Sequence, residues 1–207
     1  MKRKLVGALV MVLIGAFALT GGTLAYFTAQ GEVTNGLTTG KIDMAIWENF
    51  NPEDAKNLAP TNPDHPRKIM KQVRIQNQGG DAFVRVKFVK AWGTEDEKGN
   101  FVPDPALATD NIKLFFAEDT NWQQFGEYYY TRLDKAKFGE VSQSDMLLES
   151  FAFVAGEDDE PYKAKMAHID VLAEAIQVSN GALEAEWGMT YDEETGQFAM
   201  KGGEVND

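Results

Sequence analysis

The chain has 207 residues, no cysteine, and 32 acidic against 20 basic side chains, which gives a net charge of −12 at pH 7. The lack of cysteine excludes disulfides, thiolate metal ligands, a thiol nucleophile and a lipoprotein cysteine. The negative charge disfavours nucleic acid and anionic lipid as partners, so we expect no nucleic-acid binding.

The N-terminus has the pattern of an export signal. Three basic residues precede an uncharged run from Leu5 to Leu19, and the small residues Thr23 and Ala25 then occupy the two positions that signal peptidase recognises. The pattern predicts a signal helix over residues 1–25 and cleavage between Ala25 and Tyr26. An uncleaved membrane anchor is the alternative, although the run is shorter than the ~20 residues that a spanning helix needs. Cleavage would leave 182 residues with 17 basic and 32 acidic side chains, a net charge near −15.

The middle of the chain indicates short strands with one long polar loop. A strand is predicted over 42–47, and the loop over 49–66 holds four of the seven prolines. Apolar residues then alternate over 71–75 and 82–90. The residues between these runs, Asn77 to Asp81, have turn chemistry, which predicts either a β-hairpin or a tight strand-to-strand connection.

The second half continues the same pattern. Strands are predicted over 112–116, 127–132, 148–154 and 167–178; the last run has a helical alternative because of its alanine and glutamate content. A short helix is predicted over 180–187, and residues 190–200 predict a final hairpin or an exposed extension. We therefore expect an all-β fold, a single β-sandwich with short helices and long loops, whose edge strands another copy of the chain could use.

Candidates for catalysis and ligand binding are few. His65 lies in the proline-rich loop, and a solvated loop residue is the preferred interpretation. His168 lies two residues before Asp170, so strand geometry allows a histidine–carboxylate pair on one face, but a polar residue on a half-exposed strand face is preferred. No HExxH, GxSxG or P-loop motif is present. We predict no catalytic residues, no metal site and no cofactor. A secreted hydrolase using His168 and nearby carboxylates is the alternative.

Two further groups of residues have competing interpretations. The acidic clusters at 95–97, 157–160 and 192–194 could bind calcium, but they lack the calcium-loop spacing and are better explained as solvated turns. The aromatic cluster of Trp122, Phe125 and Tyr128 to Tyr130 could stack on sugars or bases, but core packing is the preferred interpretation.

Several segments, taken in order, resemble one family. They are GGTLAYFTAQGEVTN with GKIDMAI, VRIQNQGGDAFVRVKF, EYYYTRL, and HIDVLAEAIQVSN leading to EAEWG. Together they resemble the TasA/camelysin (CalY) family of biofilm matrix proteins, most closely its BsaA-type pilin-like members.

The resemblance implies a jelly-roll-like sandwich that is secreted and cleaved by a SipW-type signal peptidase. It then joins itself head to tail into extracellular matrix fibres at the cell surface, alone or with other matrix components. Camelysin-type members are also classified as metalloproteases, an activity for which the sequence offers no motif. The implied organisation is a signal peptide at 1–25, a donor strand and connection at 26–40, and the sandwich domain at 41–207.

The resemblance also implies that the segment freed by cleavage inserts as a strand into the next subunit. The matching donor residues are Tyr26, Phe27, Thr28, Ala29, Gln30, Gly31, Glu32 and Val33. An extended peptide can hydrogen-bond to an exposed sheet edge while alternate side chains enter pockets. Because donor and acceptor are different surfaces of one chain, the contact need not close, and repetition gives an open filament.

Overall fold

The computed structural model describes residues 42–55, 58–137, 140–156 and 158–202, and these form a predominantly β structure. Their strands are β1 (Met44–Phe50), β2 (Ile69–Asn77), β3 (Ala82–Glu95), β4 (Phe101–Pro103), β5 (Ile112–Phe116), β6 (Gln123–Phe125), β7 (Tyr128–Leu133), β8 (Ser142–Gln143), β9 (Leu148–Phe153), β10 (Met166–Gln177), β11 (Met189–Asp192) and β12 (Gln197–Met200). One helix, α1, covers Ala182–Trp187, and 3-10 turns cover Pro52–Ala55 and Glu160–Tyr162.

Two antiparallel sheets face each other. Sheet I has the strand order β1-β2-β9-β5, with β8 pairing beside the end of β2. Sheet II has the order β10-β3-β7-β6, with β4 pairing at the far end of β3. Apolar side chains from both sheets fill the space between them, including Val73 and Leu148 from sheet I and Val86 and Val171 from sheet II. The prediction of an all-β sandwich is confirmed.

The alternation of inward and outward side chains explains why Met166–Gln177 forms strand β10. Ala167, Ile169 and Val171 point into the core, whereas Leu172 is exposed. All twelve residues of β10 pair antiparallel with β3. The strand prediction for this run is confirmed and its helical alternative is wrong, because a period of two buries one face of a sheet strand and would spread apolar groups around a helix.

The connection between β2 and β3 carries the chain from one sheet to the other. Since β2 pairs with β1 and β9 while β3 pairs with β10 and β7, the hairpin alternative for this turn is wrong and the tight connection is right. Asn77 is fully buried and holds the connection together. Its Nδ2 donates to the carbonyl oxygens of Gly80 (2.9 Å) and Asp134 (3.1 Å), and its Oδ1 accepts from the amide of Gly79 (2.8 Å).

A separate apolar cluster lies on the outer face of sheet II. Phe83 and Ile176 of that face are covered by α1 and the β11–β12 hairpin through Leu183 and Phe198. The predicted short helix and the final hairpin are thus both present, and they are packed against the sandwich. Strands β4, β6 and β8 had no clear sequence pattern and were not predicted. No helix among the described residues has the length and hydropathy to cross a membrane.

Candidate functional site

The predicted processing site and donor strand lie in the N-terminal segment. The signal at 1–25, the Ala25–Tyr26 bond and the donor residues 26–33 all fall outside the described residues, so these predictions stay predictions. A donor strand needs an acceptor surface, and the described residues include sheet edges suited to that role.

Strands β1 and β10 each form the edge of their sheet. Over the described residues, β1 pairs with β2 alone and β10 pairs with β3 alone. The outer edge of each strand therefore presents backbone N–H and C=O groups that no described strand uses. Such an edge is a template for another strand, and proteins cover it, block it or use it.

The two edges lie side by side and border one apolar recess, which we call the seam. The seam is lined by Met44, Ala45 and Ile46 of β1, Ile75 of β2, and Ala173, Glu174 and Ala175 of β10. The three alanines leave room above the core, while Ile75 forms a floor that is almost inaccessible to solvent. Six of the seven side chains are apolar, so the seam suits an extended apolar segment better than a charged ligand.

A buried ion pair lies further along β1 from the seam. Lys71 of β2 is fully buried, the side chain of Glu48 of β1 is 11 % exposed, and the Lys71 ammonium donates to Oε1 of Glu48. The Nζ atom also lies 5.0 Å from the centre of the Phe50 ring. The second carboxylate oxygen, Oε2, is buried and accepts no hydrogen bond from the described residues.

Burial shifts the pKa of both members of this pair toward their neutral forms. Burial lowers the pKa of Lys71 to about 8 and raises the pKa of Glu48, in each case against the opposing charge of the partner. Neither residue was recognised from the sequence as part of a site. The burial of Lys71 could have been inferred from its position in the strand. Alternate residues of a strand lie on the same face, so Lys71 lies on the face of Val73 and Ile75, which points into the core.

The His168–Asp170 pair that strand geometry allows is formed. His168 Nε2 lies 2.8 Å from Asp170 Oδ1, and the imidazole stacks on the Phe101 ring with a centroid distance of 4.4 Å. His168 is 8 % exposed, more buried than expected for a half-exposed strand face, because β4 places Phe101 over it. His65, in contrast, is exposed in its loop, as expected.

The acidic turns bind their own backbones. Asp96 accepts from the side-chain amide of Asn100 at 3.0 Å and from the backbone amides of Asn100 and Lys98, both at 2.8 Å. Asp192 accepts from the backbone amide of Glu194 at 2.8 Å. These hydrogen bonds lower the pKa of both aspartates. At both positions the solvated-turn interpretation accounts for the carboxylates.

The aromatic cluster packs mainly within the protein. Tyr129 stacks on Phe116 with ring centres 4.5 Å apart, and burial raises the pKa of its phenol. Tyr130 is buried between Phe125, Trp187 and Phe198. The preferred interpretation, core packing, therefore describes these two tyrosines.

The described residues do not fit a catalytic zinc site. Such a site takes three protein ligands and leaves a fourth position for water. Over the described ranges, no group of three or more histidine, aspartate or glutamate side chains is arranged to hold a metal ion. The His168–Asp170 pair supplies two of the three groups that this chemistry needs.

Comparison with known protein families gives a match over most of the chain. The family model described as camelysin metallo-endopeptidase matches residues 1–187, about nine-tenths of the chain. No curated protein and no solved structure matches.

Proposed function

The chain belongs to the camelysin metallo-endopeptidase family, the family of TasA and camelysin, and within it we propose that the protein is a secreted structural subunit and not an enzyme. In this proposal a SipW-type signal peptidase cleaves between Ala25 and Tyr26. The freed segment then enters a neighbouring subunit, and the copies join head to tail into extracellular matrix fibres. The likeness to BsaA-type members belongs to the same proposal.

The observation that carries the proposal is the seam between two edge strands. An added strand satisfies the backbone groups of an edge and covers the apolar lining at the same time. The predicted donor fits such a surface, because Phe27, Ala29 and Gly31 share one face of an extended chain and two of the three are small. The seam needs small side chains where it is shallow, beside Ala173 and Ala175.

Exchange of this kind is compatible with a filament. The donor precedes β1 in the chain, while the proposed acceptor lies between β1 and β10, so the two surfaces differ. A contact between unlike surfaces gives a ring if the rotation between subunits closes and an open filament if it does not. In the open case a free donor and a free acceptor remain at the two ends, so further subunits can be added.

Two N-terminal forms of the protein test the role of the donor. A chain that begins at Tyr26 should form filaments visible by electron microscopy and sediment as large species. A chain that begins at Gly36 lacks the donor residues and should remain small. If the shortened form makes filaments as readily as the longer one, assembly through residues 26–33 is wrong.

A matched pair of substitutions tests the seam. Ala173→Arg places a long charged side chain in the seam, whereas Leu172→Arg adds the same group to the opposite, exposed face of β10. We expect the first to abolish filaments and the second to retain them, with the β-rich circular dichroism of both unchanged. Equal assembly by the two folded variants would rule out the seam as the acceptor.

The hydrolase alternative makes a different prediction. An enzyme using His168 would be a discrete species in solution, and a protease assay on the chain that begins at Tyr26 would show an activity that His168→Ala abolishes. We expect no such activity. Its detection, with loss in the His168 variant, would replace the structural role by the enzymatic one.

A further inference from the structure

The pair formed by Glu48 and Lys71 is unusual among the ion pairs of the described residues. The other lysine and arginine pairs, such as Lys165 with Asp104, leave a quarter or more of at least one partner in water. Lys71 is fully buried and Glu48 nearly so. Removing both charges from water is costly, and their attraction offsets this cost only when the remaining donors and acceptors are also satisfied.

That condition is not met at Glu48. One carboxylate oxygen contacts the Lys71 ammonium, but Oε2 is buried and accepts no hydrogen bond from the described residues. Buried polar atoms in folded proteins are nearly always paired, and an exception requires an explanation. A covalent bond between the two groups would remove both buried charges and one of the two carboxylate oxygens, which lowers the cost of burying the site.

We propose that Nζ of Lys71 and Cδ of Glu48 form an intramolecular isopeptide bond that joins β1 to β2. A proton first passes from the ammonium to the carboxylate, which leaves a neutral amine and a carboxylic acid. The Nζ lone pair attacks Cδ, the bond from Cδ to one oxygen breaks, and that oxygen leaves as water with two protons. The product is a secondary amide with one carbonyl oxygen, and no oxidant, reductant or other reactant is consumed.

Three features of the site favour this condensation. The register sets Phe50 opposite Lys71 and Val73 opposite Glu48, so the two reacting side chains are diagonal neighbours on the inner face of one strand pair. The folded sheet holds amine and carboxyl in contact, which replaces a bimolecular encounter by a positioned one. Burial shifts the pKa of each group toward the neutral form that reacts.

Charged neighbours act on the pair from one other strand. Asp170 of β10 interacts electrostatically with both Lys71 and Glu48, and His168 interacts with Glu48. These groups can stabilise charge as protons move between the amine and the carboxyl. Because the chain has no cysteine, a disulfide cannot join its strands, whereas an amide between side chains can. This inference stands apart from fibre assembly, since it concerns a bond within one subunit.

The direct test is the mass of the exported protein. Under denaturing conditions, the intact chain should weigh less than its sequence by one water molecule. Trypsin should then fail to cut after Lys71, and one linked species should contain the peptides 42–56 and 69–74. A full sequence mass, or a missing water that fragmentation places anywhere other than between Glu48 and Lys71, would overturn the proposal.

Two lysine variants provide the matched comparison. Lys71→Arg keeps the positive charge but has no amine that can form this amide, so its chain should regain the mass of water. Lys90 also points inward, and its Nζ donates to the carbonyl oxygen of Ile112 at 2.9 Å, while no carboxylate of the described residues forms an ion pair with it. Lys90→Arg should therefore keep the reduced mass. Loss of water in the Lys71 variant would contradict the assignment, and the wild-type measurement decides the question even if a variant does not fold.

Discussion

Replacement of Asn77 by alanine should weaken the sandwich at the point where the chain crosses between sheets. The fully buried amide makes three hydrogen bonds of 2.8 to 3.1 Å, to Gly79, Gly80 and Asp134. A typical intramolecular hydrogen bond contributes about 1 kcal/mol net. Gly79 and Gly80 are partly exposed and can regain water, so we expect a loss of about 2–3 kcal/mol in the free energy of unfolding.

This loss should be visible in both chemical and thermal unfolding. For a protein of this size each kcal/mol lowers the melting temperature by about 2–4 °C, which gives a decrease of about 5–10 °C. Urea titration should show a lower midpoint with an unchanged slope, since the exposed area on unfolding stays the same. The control is Gln78→Ala, an exposed neighbour whose side chain should contribute little. If the two variants unfold at the same midpoint, the amide of Asn77 does not hold the connection.

Three further predictions concern the core, the acidic turns and processing. Trp92→Phe removes the 2.9 Å hydrogen bond from Nε1 to Oδ1 of Asn111 and leaves a cavity where the larger ring was buried. The free energy of unfolding, measured by urea titration, should fall by about 2 kcal/mol. An unchanged midpoint would contradict the packing described for Trp92. Hydrogen bonds lower the pKa of Asp96, so the stability that its carboxylate contributes is present above the ordinary aspartate pKa and is lost as the pH falls through the lowered pKa. Between about pH 5 and pH 2, the urea midpoint of unfolding should therefore fall more steeply for the wild type than for Asp96→Ala. Parallel curves for the two proteins would refute this. N-terminal sequencing of exported protein should begin at Tyr26, and recovery of Met1 would favour the membrane anchor instead.

Strand positions were largely predictable because several strands carry apolar residues that alternate toward the core. The run at 112–116 matches β5, and the run at 167–178 differs from β10 by one residue at each end. Alternation carries this information within a few consecutive residues. Alternation does not show which strands pair with each other. The turn at Asn77 was therefore compatible with a hairpin as well as with a connection that crosses between the two sheets.

The candidate site was less predictable because it depends on distant contacts. The seam joins Ala45 of β1 to Ala173 and Ala175 of β10, residues that only the closed sandwich brings together. The burial of Lys71 could have been inferred from its parity with Val73, but its partner Glu48 could not, since pairing of β1 with β2 sets that contact. The sequence allowed the His168–Asp170 pair because both residues lie on one strand, but the cover that Phe101 gives to His168 depends on the distant strand β4.

The long pairing between β3 and β10 has a consequence for the order in which the molecule forms. Met166 pairs with Gly93 and Gln177 pairs with Ala82, so the partners lie 73 and 95 positions apart in the chain. Loops of this length must close before the pairing contributes any stability, and sheets with distant partners fold slowly for that reason. During synthesis or export the N-terminal part of the chain appears first, so β3 is present for a long time before β10. During that time the edge of β3 that pairs with β10 is open to other chains. Folding should therefore be a late event in the life of each subunit, and a chain ending before Met166 should aggregate in place of folding.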